Sequence, residues 1–114
     1  MWIEYLDNPN DIKEFYNKVP SLSNSVVTVV SFNTKGIDIS IELTKFPDYP
    51  PVEWENCNVL NVTLGFRSIK EVKISGWEIH DHFNFIFDKS KDEIIVRGSS
   101  EKFAFKIICR EITI

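Results

Sequence analysis

Few residues in this chain are suited to chemistry. His80 and His82 flank Asp81, and on an extended strand residues i and i+2 share a face, so a His-x-His pair could chelate a transition metal. No third ligand lies nearby in the chain, so the pair is read as a solvated strand end or turn after Trp77, and no metal is assigned. Cys57 and Cys109 lie in strand-like surroundings without CxxC spacing, which favours two reduced core thiols over a disulfide or a metal site. Neither cysteine lies in a recognisable nucleophile motif, and no serine occupies a G-x-S-x-G elbow. The glycines at 36, 65, 76 and 98 are isolated, so no phosphate-cradling loop exists. Asp48, Glu53 and Glu55 come nearest to paired catalytic carboxylates, and their segment reads as an exposed loop. These residues argue against an enzyme and call for no cofactor.

The elements that carry these residues are mostly strands. Asn8 and Pro9 open a helix in which Ile12, Phe15, Tyr16 and Val19 recur on one face, and Pro20 ends it. Ser25 to Phe32 is rich in β-branched residues, and Asn33-Thr34-Lys35-Gly36 turns it into a return strand whose Ile37, Ile39, Ile41 and Leu43 alternate with polar residues. Later strands are read through Leu60 to Phe66, Glu71 to Trp77 with Val72 and Ile74 inward and Gly76 as a bulge or strand end, Phe83 to Phe87, Glu93 to Arg97, and Lys102 to Cys109 with Phe103, Phe105 and Ile107 on one face. The turns between them are expected near Arg67-Ser68, over Lys89-Ser90-Lys91-Asp92, and at Gly98-Ser99-Ser100. The fold class predicted is α+β, mostly β: an antiparallel meander of about seven or eight strands with one N-terminal helix packed on it.

Phe46-Pro47-Asp48-Tyr49-Pro50-Pro51-Val52-Glu53-Trp54 interrupts the strands with three of the five prolines. Proline fixes φ and donates no backbone hydrogen bond, so this stretch is a strap along an edge or across the core. Trp2, Phe46, Trp54 and Trp77 are expected to be structural aromatics, while Tyr49, held between prolines, can display its ring. At 114 residues the chain is expected to be one domain over 1–114 that folds without staples. Lys and Arg total 13 against 17 Asp and Glu, a net charge of −4, and the bases are scattered in sequence rather than gathered on one periodic face. That disfavours nucleic acid as a partner and suits a basic protein partner. The chain has neither a basic n-region with an apolar run behind it nor an apolar run of about 18 residues, so no signal peptide or membrane span is expected.

Three motifs occur in order: Met1-Trp2-Ile3-Glu4-Tyr5-Leu6-Asp7-Asn8-Pro9, then Phe46-Pro47-Asp48-Tyr49-Pro50-Pro51 followed by Trp54, then Ile74-Ser75-Gly76-Trp77. With them the chain resembles the immunity protein 50 family, small bacterial proteins associated with polymorphic toxin systems. The resemblance implies a cytoplasmic protein that binds and neutralises a cognate toxin domain and has no catalysis of its own. Many toxins of such systems attack nucleic acids and carry basic clefts, so an acidic inhibitor would gain fast association from complementary charge. The candidate contact residues are Asp38 and Glu42 on the wet strand face, and Asp48, Tyr49, Glu53 and Glu55 on the strap. Exposed sheet edges permit a homodimer. The alternative is a small-ligand binding module with a pocket lined by Phe83, Phe85, Phe87, Phe103 and Phe105.

Overall fold

The computed structural model describes residues 1–78 and 80–114. Its eight strands are β1 (Ser25–Asn33), β2 (Gly36–Glu42), β3 (Asn61–Arg67), β4 (Glu71–Gly76), β5 (His82–Ser90), β6 (Glu93–Ser99), β7 (Phe103–Cys109) and β8 (Glu111–Thr113). All pairings between neighbours are antiparallel, in the order β4-β7-β6-β5-β1-β2-β3-β8. The mostly β, antiparallel class read from alternation and short turns is the class found, with a crossover that a plain meander lacks: β4 pairs with β7, not with β5.

That crossover bends the ladder back on itself. Only Arg110 separates β7 from β8, yet β7 pairs with β4 and β6 while β8 pairs with β3. The strand therefore passes from one layer to the other at Arg110, whose N–H donates to the Arg67 carbonyl (3.3 Å), while the Lys70 N–H reaches the Ile108 carbonyl (2.8 Å). At the far side the layers join through two pairs, Ser25 with Phe83 and Val26 with His82. Between the layers, Val27, Ile39, Ile41, Leu64 and Phe66 pack into one apolar cluster with Phe83, Val96, Phe103, Phe105 and Ile107. A register shift between Val27 and Val29 keeps Val30 and Phe32 opposite Ile39 and Ile37, so β1 stays inward-facing on both sides of the irregularity.

The N-terminal helix is shorter than its periodicity predicts. It makes one α-turn, Asn10–Lys13, preceded by a 3-10 turn over Trp2–Tyr5. A four-residue helix has little cooperativity of its own, and tertiary hydrogen bonds outcompete its extension. The Phe15 carbonyl accepts from Tyr49 N–H (2.9 Å), and Asn17 N–H donates to Asp48 Oδ2 (2.8 Å). Asn8 accepts from the Ile114 N–H (3.0 Å) and donates to Asp11 (2.8 Å), tying the same segment to the last strand. The expected apolar face still faces the core, with Ile12, Tyr16 and Val19 buried beside Trp2, Ile3 and Leu6.

Three further local expectations change. Gly98 is inside β6, and the turn lies beyond it. A Cβ there would come within 2.3 Å of Phe105 Cζ, so the glycine makes room for a buried ring. Cys57 is exposed, whereas Cys109 is buried and its thiol is pushed up to about 11, chiefly by desolvation. Val72 and Ile74 share the inward face of β4 but remain partly uncovered, because β4 is the terminal strand of the ladder.

Replacing Gly98 with Ala forces a methyl into the Phe105 ring, and overpacking of this kind costs about 1–3 kcal/mol. Urea unfolding should show a lower midpoint with an unchanged slope. A midpoint equal to the parent's would mean that the ring has space to retreat.

Candidate functional site

The prolines hold the strap off the sheet ladder, and the strap docks on the segment that leaves α1 (Asn10–Lys13). Pro47 is buried, Phe46 is half-buried, and Val52–Trp54 forms a short 3-10 turn. Trp54 lies against Phe15 with ring centroids 5.3 Å apart. Tyr16 Oη donates to the Lys45 carbonyl (2.5 Å), and Tyr49 Oη to Asn17 Oδ1. Burial and the neighbouring Asp48 carboxylate push the Tyr16 phenol up to about 12. The Asn17 N–H and the Lys45 ammonium, 3.0 Å away, hold the Asp48 carboxyl below its ordinary range.

The six candidate contact residues divide by what they touch. Asp48 is committed to Asn17 and Lys45, and Asp38 to Arg67 (2.8 Å) and the Asn33 amide (3.0 Å). Among the described residues Glu42, Glu53 and Glu55 form no ion pair. Tyr49 is 59% exposed despite its hydrogen bond to Asn17. Glu42 lies opposite Asn61, which lines an open cleft of about 270 Å³ together with Trp54, Phe15 and Asp11. The strap and the β2–β3 face are thereby brought to one side of the molecule.

Of the four structural aromatics, Trp2 is buried and donates its indole N–H to the Pro20 carbonyl (2.9 Å), while Phe46 and Trp54 are half-buried in the strap. Trp77 is the correction, at 86% exposed. Gly76 ends β4 at φ +87°, and a Cβ there would lie 2.0 Å from the Lys102 carbonyl oxygen. The turn it permits carries Trp77 past the end of the sheet. Beside Trp77 a cleft of about 230 Å³ opens between β1 and β4, lined by Val30, Phe32, Ile74, Glu78 and Phe103. Phe32 is 62% and Ile74 43% exposed, although both have core-facing register. Sequence reading missed this mouth because alternation reports which way a side chain points, not whether a second layer covers it.

The histidines assemble no site. His82 begins β5, with Nδ1 3.0 Å from the Asn24 carbonyl, and His80 is exposed. Among the described residues no group of three His, Cys, Asp or Glu side chains could hold a metal ion. The five phenylalanines proposed to line a pocket divide. Phe83, Phe103 and Phe105 are buried against one another with centroids 5.9–6.4 Å apart, whereas Phe85 and Phe87 border a surface cleft near Trp2 and Tyr5. No helix among the described residues is long and apolar enough to cross a membrane.

What the fold presents is therefore a set of surfaces: a strap bearing free carboxylates, and an apolar mouth under an exposed tryptophan. The family model for Immunity protein 50 matches residues 8–114, and the chain belongs to that family. No curated protein and no solved structure matches it.

Two variants report on the strap. A tyrosine whose folded pKa lies above its ordinary 10.0 contributes stability that is complete below pH 10 and is lost as pH rises toward about 12. Tyr16→Phe should lose about 1 kcal/mol at neutral pH with the hydrogen bond and flatten that alkaline decline, as read by denaturant titrations across pH. A depressed carboxyl pKa has the opposite sign: the stability Asp48 contributes is present above the ordinary carboxylate range and lost as pH falls below it. Asp48→Asn should accordingly lower stability at pH 7, with the difference from the parent vanishing in acid and faster amide exchange at Tyr49. An unchanged Tyr49 exchange rate would show that the carboxylate does not hold the strap.

Proposed function

We propose that this chain is a cytoplasmic, non-catalytic immunity protein that binds the toxin domain produced alongside it and blocks its activity. The observation that carries the reading is membership of the Immunity protein 50 family over residues 8–114. Two physical features support it. The chain is acidic, with a net charge of −4, and among the described residues Glu42, Glu53 and Glu55 keep carboxylates free of internal ion pairs. Such charges attract a basic partner over distance and orient it before contact. The mouth beside Trp77 offers the other ingredient of a protein interface, a large rigid aromatic that loses water on docking.

On this reading Glu42, Glu53, Glu55 and Tyr49 make the partner contact. Asp38 and Asp48 act one step back, by fixing the β2–β3 face and the strap. The strap loses little conformational entropy on docking because its prolines restrict it beforehand.

The test is co-expression with the neighbouring toxin domain, scored for survival, followed by binding of the purified pair. Reversal of Glu42, Glu53 and Glu55 to Lys should slow association at least ~10-fold and remove most of its salt dependence. Failure of the parent chain to protect cells or to bind the toxin would sink the immunity reading. Full binding by the triple reversal would sink only the acidic surface.

A further inference from the structure

The outward face of the layer β4-β7-β6-β5 carries a charge arrangement that the linear sequence hides. Lys73 is register-paired with Lys106, and Lys106 with Arg97, so three cations from three adjacent strands stand in one row across the sheet. Ile86 ends the row beside Arg97. Neighbouring strands are about 4.8 Å apart, which puts the outer two cations about 10 Å from each other at their backbones. Like charges directly opposite on a sheet repel. The outer pair is relieved: Lys73 reaches Glu71 (3.3 Å) and Arg97 reaches Asp88 (3.6 Å), both in the next row. Lys106, half-buried between them, has no ion pair among the described residues.

On the other side of the cations the next row is Ser75, Ala104, Ser99 and Asn84, all small or short. Their size leaves a shallow trough of about 370 Å³ that Lys106 and its two neighbours overlook. Charge, shape and hydrogen-bonding capacity thus coincide at one place. The Ala104 floor and the Ile86 wall suit aliphatic stems, and Ser75, Ser99 and Asn84 supply neutral polar partners.

We propose that this trough is a docking surface for an acidic segment of a protein partner, with two carboxylates on one face of that segment shared among Lys73, Lys106 and Arg97. Carboxylates two residues apart on a strand are about 6.8 Å from each other, which fits within the cation row. A running phosphate backbone fits worse, because a row of three cations, two of them already shared with Glu71 and Asp88, matches two carboxylates but is too short for the continuous charge of a nucleic-acid strand. The surface is distinct from the acidic strap, and it holds whichever protein supplies the segment, so it stands or falls separately from the toxin reading.

The probe is a fluorescein-labelled eight-residue peptide of alternating Glu and Ser, titrated against the purified chain at low salt. Saturable binding should weaken at least ~10-fold in Lys106→Met, which keeps the aliphatic stem, and disappear when Lys73→Gln and Arg97→Gln are added. Lys18→Gln, on the N-terminal segment, should bind as the parent does. Because Lys106→Met removes two like-charge contacts, it should also melt about 1–5 °C above the parent at low salt. That gap should close at about 300 mM salt, where screening is strong. Undiminished peptide binding by the triple variant, equal loss in Lys18→Gln, or tighter binding of an oligothymidylate of the same charge would overturn the proposal. So would a Lys106→Met variant that melts no higher than the parent at low salt.

Discussion

The passage of a single strand through Arg110, from one layer into the other, is the constraint on which the remaining structure depends. Because β7 and β8 are covalently continuous, pairing β8 with β3 and β7 with β4 forces the chain between β3 and β4 to bend at the same corner. The two layers then have to face each other, and Phe66, Ile39 and Ile41 meet Phe83, Phe105 and Ile107. Hydrophobic burial supplies the driving force, but it is indifferent to direction. The backbone ladder at the corner decides which apolar faces meet.

The same geometry produces the openings. Two ladder pairs join β1 to β5, and β4 has a neighbour on one side alone, so the layers stay apart along the outer half of β1. Phe32 and Ile74 border that gap with inward register and no cover, and Trp77 stands beside it past the end of β4. At the opposite end the N-terminal turns and the proline strap close the core together, each satisfying backbone groups of the other. Phe15 accepts from Tyr49, Asp48 receives Asn17, and Tyr16 reaches Lys45. A strap fixed in this way can carry exposed carboxylates without being a floppy loop, which suits a member of an immunity protein family whose proposed task is rapid, oriented association.

Charge is distributed by face rather than by segment. Asp38 and Asp48 are neutralised internally, whereas Glu42, Glu53 and Glu55 form no ion pair among the described residues. The opposite side of the sheet holds three bases in contact register on a protein whose net charge is negative.

Alternation in the sequence was enough to determine most strands and their inward residues, because side-chain direction in a strand follows a period of two regardless of what lies above it, and the short turns between strands determined the antiparallel class. The proline segment announced its exclusion from the ladder, and the three ordered motifs carried the family. The helix was overread: Ile12, Phe15, Tyr16 and Val19 have helical spacing, yet the competing hydrogen bonds come from residues some thirty positions away, including Asp48. Trp77 has strand spacing but no cover, because the Gly76 turn carries it past the end of β4. The row of Lys73, Lys106 and Arg97 was invisible along the chain, since the bases are far apart in sequence and only register places them side by side. Local periodicity therefore determined what each strand would bury, while long-range pairing through the Arg110 corner decided which faces were covered and which charges became neighbours.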